Sequence, residues 1–243
     1  MDGGRLDDDT RRALLTTGLI VGYGAIAPRV LPPSSVLPNL GAAAAGVLAA
    51  RRWGRSWGDL GLDRGDAGPG LRAGLATVPP LASAVAAASL MPALRPLLRD
   101  ERVIGLSGRD AAYHALVRIP VATALAEEVL FRGALLGMTG AGSRPVRAVA
   151  WTSVAFGLWH ALPALHSHRS NPHGARLAER HGGVVVTVAG TVVVTAVAGA
   201  ALAGLRLRAR SVLAPVIAHA AVNGLVFLAA RAVGGGVRRS GRS

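Results

Sequence analysis

The chain contains no cysteine. That removes a disulfide framework, a thiol nucleophile and thiolate metal ligands from consideration, and it leaves the redox compartment open. Lysine is missing as well, so all 27 basic residues are Arg, and against 13 Asp and Glu they give a formal charge of +14. Aromatic residues make up only 4%. A nucleic-acid surface would want a basic face interleaved with aromatics, so contacts between scattered Arg side chains and anionic lipid headgroups are the simpler account of the charge. No internal repeat is visible, which counts against a transporter built from related halves. No small-residue cleavage pattern follows the first apolar run after "MDGGRLDDDTRR", so that run is expected to stay as a span.

What the chain does have is apolar surface: 51% hydrophobic residues, 32 Gly and a mean hydropathy of +0.42. Several segments are apolar all round for about 15 to 20 residues, where a soluble helix would carry one apolar stripe. The expectation is an all-α, polytopic transmembrane bundle of about seven spans, forming a single membrane domain over residues 1–243 of a multi-pass cell-membrane protein. The spans are placed at Ala13 to Val30, Val36 to Ala50, Leu71 to Met91, Ala111 to Met138, Val146 to Leu165, Val184 to Leu205 and Val212 to Val233. The second is short for a bilayer, which suits a tilted or re-entrant segment. Pro79, Pro80 and Pro120 remove backbone donors and are expected to kink the third and fourth helices. Gly190, Gly199 and Gly204 offer close helix approach in the sixth. Alternate loops carry thirteen and twelve Arg, so the positive-inside rule does not orient the chain.

Three of these oily segments carry polar groups. "ALAEEVLFRGALL" places Glu127, Glu128 and Arg132 mid-span, where each charge costs roughly 2.5 to 3.5 kcal/mol unless it faces protein or water. Glu128 and Arg132 lie roughly 40° apart on one helical face and can neutralise each other, while Glu127 points about 100° away. The fifth span brings Phe156 and His160 to one face, and the seventh brings His219 and Asn223. Taken singly, these are an ion pair that fixes packing, a hydrogen-bonded packing His and an interhelical clamp. Together they supply a carboxylate, two imidazoles and an amide at comparable depth, the parts of a water-activating hydrolytic site.

"EEVLFR", "FGLWH" and "HAAVN" resemble, in order and spacing, the E-E-x-x-x-R, F-x-x-x-H and H-x-x-x-N motifs of the CPBP family, the CAAX-protease and bacteriocin-processing (Abi) intramembrane proteases. The resemblance runs from about Leu60 to Val233, and "WGDLGL" ahead of the third span looks like the family's lead-in. It implies that Glu127 and His160 activate water and that His219 and Asn223 hold the oxyanion. Glu128 and Arg132 would be the local pair supporting the site, with Glu128 a further candidate for catalysis. The family name often includes "metalloprotease", and Glu127, His160 and His219 would be a chemically plausible zinc set. No H-E-x-x-H motif is present. Direct water activation without tightly bound metal is the favoured reading, with no cofactor assigned and zinc left open. Expected partners are the bilayer and a membrane-associated protein or peptide substrate. Prenylated CAAX tails are one family substrate, and the chain's own tail, "GGGVRRSGRS", carries no such signal. His166, His168, His173 and His181 match no family motif and are expected to sit in a solvated loop.

Two other readings compete. One is a non-catalytic scaffold or transporter holding a buried polar network. The other is a rhomboid-like serine protease, suggested by "GLSG" at Gly105 to Gly108. Ser107 lies between Arg102 and Arg109 in a polar connection, which favours a surface turn. Ser107→Ala should therefore leave cleavage of a membrane peptide unchanged in a detergent assay; abolished cleavage would establish the serine reading.

Overall fold

The computed structural model describes residues 8–30, 36–170, 176, 179 and 182–240. His173, His181 and the last three residues of the tail lie outside them. Among the described residues the elements are helices and turns, with no strand. In chain order they are α1 (Asp8–Val30), α2 (Val36–Arg52), α3 (Ala67–Leu90), the short α4 (Glu101–Ile104), α5 (residues 108–138), α6 (Pro145–Trp159), α7 (Ala161–Ser170), α8 (Val184–Ala209) and α9 (Leu213–Ser240).

Each of the seven expected segments is helical, with two differences of substance. The fifth breaks at His160 into α6 and α7, so "HSHRS", expected in a loop, is helical through Ser170. Among the described residues, four helical stretches are long and apolar enough to cross a membrane: Arg64–Leu90, Pro145–His166, Val184–Ala209 and Leu213–Gly234. The second expected span, α2, has 17 residues, about 25 Å at helical rise, under the thickness of a hydrocarbon core. The fourth, α5, carries its charges mid-helix. The chain is an integral, multi-pass membrane protein.

Burial explains how α5 tolerates those charges. From Leu130 to Met138 every residue of α5 is buried, and Glu128 is fully buried too. Around it, α2 packs along its second half and α9 along its first, while α8 lies against α6 and α7, and α9 against α3. Leu130, Phe131 and Leu135 form one core with Ile20, Ala155 and Phe156, and Ala134 and Met138 form another with Ala50 and Leu60. By contrast α8 exposes Val185, Val193, Val194 and Val197, the outward apolar face that lipid solvates. Of its three glycines, only Gly199 permits close approach, with Arg132 Nη2 3.2 Å from where a Cβ would stand; nothing lies within 4 Å of Gly190 or Gly204.

Pro120 falls in a stretch of α5, His114–Leu125, wound with π-type hydrogen bonds, and a second such stretch covers Val129–Leu135. Between them a single α-type turn, Ala126–Glu128, carries both glutamates. α3 continues as helix through Pro79 and Pro80.

The α1 start, the loop after α2, the α5–α6 turn and the α8–α9 turn share one end of the bundle. Asp9 pairs with Arg55 at 2.6 Å, Arg147 donates to Thr10 at 2.6 Å, and the Val212 amide donates to the Gly61 carbonyl at 2.9 Å. There the "WGDLGL" loop folds inward. Leu60 is fully buried against α2 and α5. Arg206 reaches out of α8 to the carbonyls of Gly58, at 3.1 Å, and Asp59. Gly61 closes the turn at φ +66, a left-handed conformation that favours glycine. On the loop's outer side, the Ser56 amide and then the Ser56 hydroxyl hold the Asp59 carboxyl below its usual range. Leu60→Ala should destabilise the protein by about 3 kcal/mol, read from the denaturation midpoint in mixed micelles. Leu37→Ala, on a side chain 80% exposed, should change stability by under about 0.5 kcal/mol.

Candidate active site

Glu128 anchors a polar network inside the bundle. Its Oε1 accepts from Arg132 Nη1 at 2.9 Å, one helical turn on, and from His219 Nδ1 at 2.8 Å across the helix packing. All three side chains are buried. Arg132 spends its second amino group on the Gly199 carbonyl of α8 at 3.2 Å, and its guanidinium lies over the Phe156 ring, 4.1 Å from the centroid. A buried carboxylate thus has two charge-assisted donors, the arrangement that makes burying a charge tolerable.

Phe156 is the wall shared by the three motif-bearing helices. Its ring meets Phe131 edge-on at 5.1 Å, His160 at 4.5 Å and His219 at 6.0 Å. His160 ends α6, and its Nδ1 lies 2.8 Å from the Phe156 carbonyl. A carbonyl only accepts, so Nδ1 carries the proton of that bond and Nε2 stays available for chemistry. By the same logic His219 donates through Nδ1 to Glu128 and keeps Nε2 available.

Glu127 sits differently. It is half-buried, and its Oε2 is shielded from solvent with no hydrogen-bond partner; Glu128 Oε2 is in the same state. The Glu127 charge acts on both Arg132 and His219. Asn223 stands one turn beyond His219 on α9, half-buried, with no hydrogen bond found among the described residues.

The structure therefore joins Glu128, Arg132, His160 and His219 around Phe156, with Glu127 beside them. The Glu128–Arg132 pair was legible from i,i+4 spacing. The Glu128–His219 bond was not, because 91 residues separate the partners. Phe156 as a shared wall was half legible, since its face in common with His160 is local and its contacts with Arg132 and His219 are tertiary.

A zinc ion needs three converging protein ligands and an open position. Among the described residues no group of three or more His, Asp or Glu is arranged to hold a metal. Glu127, His160 and His219 therefore do not form a ready zinc centre. The other His residues make separate local bonds: His166 Nδ1 to the Leu162 carbonyl at 3.1 Å, and His168 Nδ1 with the Thr187 hydroxyl at 2.9 Å. Ser107 caps the first turn of α5, accepting from the Asp110 amide at 3.1 Å and donating to its carboxylate at 2.7 Å, exposed to solvent.

Residues 110–225 match the family model described as Rce1-like, type II CAAX prenyl endopeptidase Rce1-like. The matched stretch contains all three motifs, and the resemblance to the CAAX-protease family is borne out over it. No curated protein and no solved structure matches the chain.

Arg132→Met would leave the buried Glu128 carboxylate with His219 as its remaining donor, and should cost about 3 to 5 kcal/mol of stability. The double variant Glu128→Gln, Arg132→Met removes both charges and should recover part of that loss. The measurement is the denaturation midpoint of each variant in mixed micelles, and a double variant no more stable than the single one would contradict the coupling.

Proposed function

From the family match over residues 110–225, we propose that the chain is an intramembrane endopeptidase that hydrolyses peptide bonds of membrane-associated proteins or peptides with water activated by Glu127 and His160. The observation that carries this reading is the contrast between two neighbouring carboxylates. Each keeps a shielded Oε2 without a partner, but Glu128 Oε1 is tied to two cationic or imidazole donors, whereas no donor reaches the Glu127 carboxylate among the described residues. A shielded, unengaged carboxylate next to imidazole is suited to take a proton from water.

In this mechanism water lies between Glu127 Oε2 and His160 Nε2. One O–H bond breaks as the proton passes to Glu127, and the oxygen bonds to the scissile carbonyl carbon. The carbonyl π pair moves onto its oxygen. His219, protonated on both nitrogens and held by Glu128, donates from Nε2 to that oxyanion, with the Asn223 amide as second donor. Collapse re-forms the carbonyl, breaks the C–N bond and returns the proton from Glu127 to the leaving amine. With His219 protonated, Glu127, Glu128, Arg132 and His219 sum to zero charge, which limits the cost of holding four ionic groups in a low-dielectric bundle.

Cleavage of a membrane-peptide library by purified protein in detergent tests the reading. Glu127→Gln and His160→Ala should each lower kcat by at least about 100-fold with the fold intact, and a chelator should leave the wild type unchanged. Undiminished cleavage by both variants would remove these residues from the site. Loss with chelator, restored by zinc, would make them metal ligands instead.

A further inference from the structure

The helices that lie before the matched family segment also reach the site. Asn39, half-buried on α2, donates from Nδ2 to the Ala122 carbonyl of α5 at 2.9 Å, and its Oδ1 accepts from the Tyr23 hydroxyl of α1 at 2.8 Å. This fixes the amide's orientation, because a flipped Asn39 would set its oxygen against the Ala122 oxygen, two acceptors face to face. An amide in an apolar wall is costly unless both ends are bonded, and here both are.

The carbonyl it takes is a particular one. In an α-helix the Ala126 amide would bond to Ala122; here it bonds to the carbonyls of Val121 and Thr123. Ala122 is buried, and with the Ala126 amide turned to other carbonyls, its own carbonyl accepts from Asn39. The bond lies at the end of the π-wound stretch His114–Leu125, immediately before the α-type turn Ala126–Glu128 that carries both glutamates. A residue in a π-wound helix is rotated relative to its place in an α-helix, so the point where the winding changes decides where Glu127 and Glu128 face.

α1 also braces the histidine side. The Tyr23 ring stacks on Trp159 at 6.1 Å, and Trp159 meets Phe131 edge-on at 5.7 Å. At Gly24, a Cβ would stand 2.5 Å from the Trp159 ring, so only glycine lets α1 come this close. Trp159 directly precedes His160.

We infer that Asn39, oriented by Tyr23, is a positioning residue for the glutamate turn: its bond to the Ala122 carbonyl sets the change of winding that aims Glu127 and Glu128 at the histidines. The inference rests on the proposed peptidase reading for its kinetic consequence and on the backbone alone for its structural one. Asn39→Leu should lower kcat by about tenfold or more with KM changed less than about twofold, as expected when a catalytic group is displaced by a fraction of an ångström. In the same protein, hydrogen exchange of the peptide covering residues 120–130 should speed up by about tenfold while α3 and α8 keep their protection. Tyr23→Phe, which removes one hydroxyl and keeps the stacking ring, should give a smaller change of the same kind and serves as the test should Asn39→Leu not fold. Unaltered exchange over 120–130 in both variants overturns the inference whether or not a substrate is cleaved. Altered exchange with unaltered kcat overturns the positioning role. Altered exchange in a protein whose Glu127→Gln variant still cleaves supports the Asn39 bond and sinks the peptidase mechanism separately.

Discussion

The bundle is organised around one carboxylate. Glu128 is fully buried and its Oε1 receives both Arg132 and His219; through Arg132 it is linked to the Gly199 carbonyl of α8 and to the face of Phe156 on α6. Three helices are therefore tied to α5 at one level by polar or cation–π contacts, in a medium where apolar packing distinguishes poorly between protein and lipid neighbours. Directional bonds fix the register that shape alone would leave loose. The adjacent glutamates are thus engaged unequally: Glu128 Oε1 receives two donors, and the Glu127 carboxylate receives none among the described residues.

How much of this could be read from the sequence depended on range. Periodicity and apolar run length located all seven helical segments, because they are local properties of the chain. Spacing also gave the Glu128–Arg132 pair and the shared face of Phe156 and His160. The break at His160 was missed because "FGLWHALPALH" stays apolar across it, and an apolar run does not show where helical hydrogen bonding lapses. Gly190 and Gly204 were credited with close contacts they do not make, since a glycine only permits approach and the neighbouring helix decides whether to use it. The π-wound stretches of α5 had a partial signal in Pro120, which removes a donor without stating how the helix will respond. No pattern in the chain pairs Asn39 with Ala122 across 83 residues.

Arg206 and the inward loop show a second use of the same chemistry. Gly58, Asp59 and Gly61 present backbone carbonyls, and a buried guanidinium and the Val212 amide take them. Carbonyls drawn toward a buried side chain need protein donors, and these two groups provide them. The loop thereby places Leu60 against Ala134 and Met138, so the end of α5 is packed as well as its middle section is bonded.

The pairing of Glu128 with a partner 91 residues later has a bearing on biosynthesis. When α5 emerges, α8 and α9 do not yet exist, and neither the Gly199 carbonyl nor His219 is there to meet its charges. Arg132 and Glu128 can pair at once within their own turn, which lets those two groups enter lipid as a neutral dipole rather than as separate ions. Completion of the site is then deferred until α9 is made, and a chain truncated before α9 would hold an inserted bundle with an unfinished centre.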